Sequence, residues 1–123
     1  MKRIEVLSIP VSDQQKAKDF YVNQLGLDVL IDAPFGEGQQ WIQLGKPDWE
    51  TSITLVTWFE NMQPGCLNGM VIESDDVAAE RERLISNGVE VAPINDTPWG
   101  PFAYFADPDG NQWALHQGYT PSA

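Results

Sequence analysis

The 123-residue sequence holds a single cysteine and a single histidine. With Cys66 alone, no internal disulfide can close and no thiolate zinc site can be assembled, which fits a reducing compartment. Basic residues are also scarce: seven Lys and Arg stand against 18 Asp and Glu, a formal net charge of −11. No basic block occurs anywhere. Such a chain repels phosphate backbones and anionic bilayers, so nucleic acid and membrane surfaces are excluded as partners. No apolar run reaches membrane length, and no secretory apolar stretch follows Met1-Lys2-Arg3. The expectation is a cytoplasmic protein. A glycine-rich phosphate loop, a Gly-x-Ser-x-Gly elbow and a Cys-x-x-Cys pair are all missing.

What is present describes one globular domain. Its 42% hydrophobic and 20% charged residues are those of a folded chain. At this length a chain buries roughly two-thirds of the surface it exposes when unfolded. The 13 aromatic residues (five Trp, five Phe, three Tyr) are generous for this size. Trp58, Trp99 and Trp113 lie close to turn or loop residues, where aromatics line pockets or subunit interfaces.

Hydrophobic alternation predicts a first strand over Ile4–Val11. Ser12 with Gln15 reads as a capping box for the helix that follows. Ala17, Phe20, Tyr21 and Leu25 form its buried stripe, and Gly26 stops it. Leu27–Ile31, Gln40–Leu44 and Ser52–Trp58 read as strands, with a breaker-rich loop from Ala33 to Gly38. Phe59–Asn68 is the longest connection. Beyond it come a strand over Met70–Glu73, a helix capped at Ser74-Asp75-Asp76 with Val77, Leu84 and Ile85 as apolar positions, Gly88 as its stop, and a strand over Val89–Ala92. Pro93–Gly100 reads as a loop. Two last strands flank the turn Asp107-Pro108-Asp109-Gly110. After it, Trp113 and Leu115 share one face, and Gln112, Ala114 and His116 the other.

The second half repeats the first. Gly26-Leu27-Asp28-Val29 matches Gly88-Val89-Glu90-Val91 at an offset of 62 residues, and Ser12-Asp13 and Ala17 match Ser74-Asp75 and Ala79 at the same offset. Two copies of one βαβββ unit follow from this. The predicted class is α+β: two tandem βαβββ modules whose mixed four-stranded sheets curl around a central cleft. Module one spans 1–59, the linker 60–68 and module two 69–118, within a single domain over 1–123.

The duplicated unit, Phe20-Tyr21…Leu25-Gly26 and Asp107-Pro108-Asp109-Gly110-Asn111 together resemble the vicinal oxygen chelate superfamily. That group includes glyoxalase I, extradiol dioxygenases, fosfomycin resistance proteins and bleomycin resistance proteins. The resemblance covers nearly the whole chain. In metal-using members a divalent ion held by His, Glu or Gln polarises a substrate oxygen. Carried over by position, those ligands fall on Val6, Thr54, Gly69 and Ala114. Valine, glycine and alanine cannot bind a metal, and a lone threonine hydroxyl is a poor ligand. The expectation is therefore no metal and no cofactor.

The same matching proposes Ser8, Trp41, Gln43, Thr54, Trp58, Phe102, Tyr104 and His116 as ligand-binding residues. His116 and Tyr104 are the candidates if the chain is catalytic. His116 reads either as a cleft base or as a strand-end histidine held by a hydrogen bond. Glu73 and Asp76 read as a strand-end charge and a helix cap. The resemblance implies a homodimer that binds a small molecule, cationic or aromatic, without the family metal, in the manner of bleomycin resistance proteins. A divergent lyase, isomerase or dioxygenase of the glyoxalase type is the alternative.

Overall fold

The computed structural model describes residues 1–118. They form β1 (Val6–Pro10), α1 (Gln14–Asp19), β2 (Asp28–Pro34), β3 (Gln40–Gly45), β4 (Ser52–Val56), β5 (Met70–Ser74), α2 (Val77–Ser86), β6 (Asn95–Thr97), β7 (Gly100–Ala106) and β8 (Gln112–Gln117). The fold is α+β, with two mixed four-stranded sheets. The first has the order β1-β4-β3-β2 and the second β5-β8-β7-β6, the same order in each repeat. In both, the first strand pairs parallel with the last and the remaining pairings are antiparallel.

The chain forms two compact units: Met1–Leu67 with Asp107–Asn111, and Asn68–Ala106 with the strand that starts at Gln112. In the first unit, α1 packs on β3 and β4. Ile9 and Val11, Ile42 and Leu44, Ile53 and Leu55 face it and are buried with Ala17, Phe20, Tyr21 and Leu25. The helix does not begin as its sequence suggests. Asp13, not Ser12, is the N-cap, accepting from Lys16 N at 3.0 Å. Ser12 turns away, and both its N–H and its hydroxyl donate to Asp109 Oδ1. After Asp19 the helix widens into a π-helical turn, Phe20–Gln24, with Leu25 N bonded five residues back to Phe20 O. Gly26, at φ 88°, then ends it.

The Asp107–Asn111 turn belongs to the first unit. Asp107 is 5% exposed and its carboxylate is saturated. Oδ1 accepts from the backbone N–H groups of Asp109 (3.0 Å) and Asn111 (2.9 Å), and Oδ2 from Tyr21 Oη (2.7 Å) and Asn111 Nδ2 (2.8 Å). Asn111, fully buried, also donates to Pro10 O and accepts from Leu67 N.

In the second unit α2 packs on β7 and β8. Asp76 caps it, accepting from Ala79 N at 3.0 Å. Val77 and Leu84 are buried, whereas Ile85 is 40% exposed. The strand expected over Val89–Ala92 does not form; the short second strand of this repeat is Asn95–Thr97, inside the expected loop. Val89 and Val91 do face the core. The carbonyls of Val91 and Ala92, however, accept from the Arg81 guanidinium, and Ala92 N donates to Tyr104 O on β7. Pro93, which has no N–H, prevents the ladder from continuing directly.

Candidate functional site

Register fixes which side chains share the helix-free face of the first sheet. Ser8 pairs with Thr54, Thr54 with Gln43, Gln43 with Ile31 and Trp41 with Ala33. Strand alternation adds Val6 and Pro10 on β1, Ser52 and Val56 on β4 and Gly45 on β3. The interior of this face carries no ionisable side chain among the described residues, while Asp28, opposite Gly45, stands at its edge on β2. The central polar groups are tied into a relay. Trp41 Nε1 donates to Gln43 Oε1 (3.0 Å), Gln43 Nε2 donates to Ser52 Oγ (2.7 Å), and Ser52 Oγ donates to Glu5 O (3.1 Å). The relay fixes the plane of the Trp41 indole. Gln43, expected as a ligand contact, spends its amide on this task.

Thr54 lies in the middle of the same face and is 1% exposed, yet its hydroxyl has no hydrogen-bond partner among the described residues. Buried hydroxyls in native proteins are nearly always paired.

Toward the end of the sheet stands an aromatic cluster. Trp41 and Trp58 stack with ring centroids 6.3 Å apart and planes 25° from parallel. Phe35 contacts both, at 5.6 and 5.1 Å, and Phe59 lies 6.2 Å from Trp58. Phe35 and Phe59 are each close to half exposed. The sequence reading placed Trp41 and Trp58 here but missed both phenylalanines, since each sits in a loop where periodicity carries no signal.

Phe102, Tyr104 and His116 come together on the equivalent face of the second sheet. His116 pairs across strands with Phe102 and with Glu73, and Tyr104 pairs with Ala114. The rings form a stack: Phe102 on His116 at 4.3 Å, and Phe102 on Tyr104 at 6.1 Å. His116 Nε2–H donates to the Trp99 carbonyl at 2.8 Å. The imidazole thus anchors the β6–β7 turn, which presents Trp99 at 66% exposure. A groove of about 650 Å³ runs beside the last turn of α2, lined by Ile85, Val89, Val91 and Tyr104. Of the candidate residues, Tyr104 alone reaches it.

The residues at the family's ligand positions do not fit a divalent ion. Val6, Gly69 and Ala114 offer no side-chain donor and Thr54 only a neutral hydroxyl. Among the described residues, no three His, Cys, Asp or Glu side chains converge to hold one.

Residues 3–115 match the family model of the glyoxalase/bleomycin resistance protein/dioxygenase superfamily. The chain belongs to this superfamily. Within it, the chain is similar to TnmS3, an antibiotic binding protein from Streptomyces sp. CB03234, with 46% identity, a TM-score of 0.91 and coverage of 96% of this chain and 97% of that one. A glyoxalase/bleomycin resistance protein from the same organism is 47% identical over 94% of this chain and 100% of its own, with a TM-score of 0.84. The uncharacterized protein YetH of Bacillus subtilis (strain 168) is 33% identical over 121 residues, 95% of this chain and 99% of the relative. The superfamily supports many chemistries on one scaffold, so function rests on the faces just described.

Proposed function

We propose that this superfamily member is a small-molecule-binding protein that sequesters an antibiotic-like aromatic compound, and that it does so without the family metal. The observation that carries the reading is the Phe35–Trp41–Trp58–Phe59 cluster beside the polar face of Ser8, Gln43, Ser52 and Thr54. The similarity to an antibiotic binding protein at 46% identity supports it. Binding would be by ring stacking, worth about 0.5–1.5 kcal/mol per aromatic pair beyond the area buried. The Trp41 relay holds one ring in place before the ligand arrives, which lowers the entropic cost of binding.

No step of bond making or breaking is needed for this activity. His116 acts as the anchor of the Trp99 turn and Tyr104 as the end of a ring stack. A second copy of the chain is the proposed protein partner. Val29, Leu30 and Ile31, consecutive on the sheet-edge strand β2, are each more than 40% exposed and support that pairing. Sedimentation equilibrium at micromolar concentration tests it: a single species at the 13.7 kDa chain mass overturns the dimer. No helix of the described residues is long and apolar enough to cross a membrane, and we propose a cytoplasmic location.

The experiment that tests the binding reading is a titration of tryptophan emission with a panel of aromatic antibiotics. Saturable quenching by at least one member, weakened about tenfold or more in Trp58→Ala, is the expected result. A flat response across the panel overturns it.

A further inference from the structure

We infer that the groove beside the last turn of α2 is a second binding site, and that it takes a planar aromatic amine in its cationic form. The groove shares no residue with the aromatic cluster of the first sheet, so the inference is independent of the binding reading above.

The ring stack supplies the first observation. Phe102 and Tyr104 lie two residues apart on one face of β7, with ring centroids 6.1 Å apart and planes 8° from parallel. His116 stacks on Phe102 as well, at 4.3 Å. The next place along this face of β7 falls to Ala106, whose methyl group leaves the side of the Tyr104 ring away from Phe102 uncovered. The groove lies there: Tyr104, Ala106 and Gln112, the cross-strand partner of Ala106, line it, and Phe102 does not. A ligand ring over Ala106 would add to the row by stacking on Tyr104.

The repeat supplies the second. In the first half of the chain the segment after the helix stop joins the sheet, Asp28 opposite Gly45 and Val29 opposite Leu44. Their counterparts at the offset of 62 residues are Glu90 and Val91. Neither joins the ladder, and Arg81 takes the carbonyls of Val91 and Ala92. The space left along β7 is the groove. Ile85 and Tyr104, large apolar side chains left 40% and 46% exposed, both line it. Its volume of about 650 Å³ falls within the roughly 300–1,000 Å³ of small-molecule sites.

Charge supplies the third. Glu90 lines the groove, and no Lys, Arg or His does. Its counterpart Asp28 is bridged by Lys46 at 3.7 Å. The residue equivalent to Lys46 is Pro108, and among the described residues Glu90 forms no salt bridge. Arg81 is turned to the backbone carbonyls and to Glu82. A cation in the groove would therefore meet an unclaimed carboxylate and the face of Tyr104, within a chain of net charge −11 that attracts it from a distance.

Equilibrium dialysis of the full chain against the 9-aminoacridinium cation and against acridine, at a pH where acridine is neutral, tests this. The cation is expected to bind saturably and more tightly than acridine, and its long-wavelength absorption band to lose intensity, the mark of ring stacking. Tyr104→Leu should remove that spectral change. Ala106→Phe, which supplies the missing ring from the chain itself, should weaken the cation about tenfold or more. Glu90→Gln should weaken it about two- to fivefold, the range of an exposed ion pair, and so narrow its advantage over acridine. Ile85→Arg, at an exposed helix position, should weaken the cation too, and decides the matter where Ala106→Phe does not fold. Unchanged affinity in Ala106→Phe or Ile85→Arg overturns the groove as the site. So does binding that is lost in Trp58→Ala and kept in Ala106→Phe, which places the probe on the first-sheet cluster. A spectral change that survives Tyr104→Leu overturns the stack. Acridine bound as tightly as the cation, or equal losses for both probes in Glu90→Gln, overturns the amine. Absence of binding by both probes overturns the inference whole and leaves the antibiotic titration of the first sheet as a separate test.

Discussion

Asp107 spends its whole carboxylate on structure. Four donors converge on it, one of them the hydroxyl of Tyr21, 86 residues away in sequence. Hydrogen bonds to a charged acceptor contribute more than neutral ones, so Tyr21→Phe should cost about 1.5–3 kcal/mol of stability in urea denaturation. A change within error would show that the bond adds nothing. The sequence identifies Asp107 as a turn residue and Tyr21 as a buried helix residue but does not connect the two, because a bond across that separation leaves no local pattern. The same limit hides the unpaired state of Thr54. Asp32 gives a pH-dependent case. The Lys18 ammonium, first by its hydrogen bond, and then the Gln40 amide hold its carboxyl below the ordinary aspartate range. A lowered folded-state value means that the stabilisation is present above about pH 4, the unfolded range, and fades as pH falls through the folded value. The pair is partly exposed, so the effect is small. Asp32→Asn should make the fall in melting temperature below about pH 4 shallower; an acid limb unchanged by the substitution would contradict the assignment.

At the scale of elements, the start of α1 separates two adjacent residues that look alike in sequence. Asp13 caps the helix and Ser12 serves the Asp109 turn. Asp13→Ala should cost about 1 kcal/mol, typical of a lost cap, and lower the helical circular dichroism. Ser12→Ala should leave the helical signal unchanged. Equal effects would contradict this division. The turn itself depends on close approach to the β4–β5 connection. Gly65 adopts φ 84°, and a Cβ there would run into the Asp109 carbonyl. Gly65→Ala should therefore lower the thermal midpoint clearly, since both the backbone angle and the contact oppose it; an unchanged midpoint would mean that the two segments separate freely. The helix stops at Gly26 and Gly88 were legible because glycine alone adopts a positive φ easily. The strand at Asn95–Thr97 was not. Its Asn, Asp and Thr carry no alternation of apolar residues, whereas Val89 and Val91 alternate and are buried without joining the ladder. Burial and pairing are separate properties there, and a hydrophobic pattern reports only the first.

For the molecule as a whole, the repeat at 62 residues was the most informative feature of the sequence, and the identical strand order of the two sheets is its structural counterpart. Of the eight candidate binding residues, Ser8, Trp41, Gln43 and Thr54 share one face, with Trp58 stacked on Trp41, while Phe102, Tyr104 and His116 stack on the other sheet. Which residues share a face was legible because strand alternation and the family resemblance both constrain it. What each does was legible only in part: the hydrogen-bonded reading of His116 was one of two that the sequence left open, whereas nothing in it signalled that the Gln43 amide is occupied by Trp41 and Ser52. Metal content belongs to this scale too. Protein purified without chelator should carry no stoichiometric nickel, iron, manganese or zinc by inductively coupled plasma mass spectrometry, and one tightly held equivalent would contradict a metal-free binding protein. The central claim is that the aromatic cluster of the first sheet binds a small molecule. Its most direct test is the titration of tryptophan emission by aromatic antibiotics in the native chain and in Trp58→Ala. The account predicts saturable quenching in the native chain and affinity about tenfold weaker or worse in the variant. Equal affinity in the two, or no quenching by any compound, would contradict it.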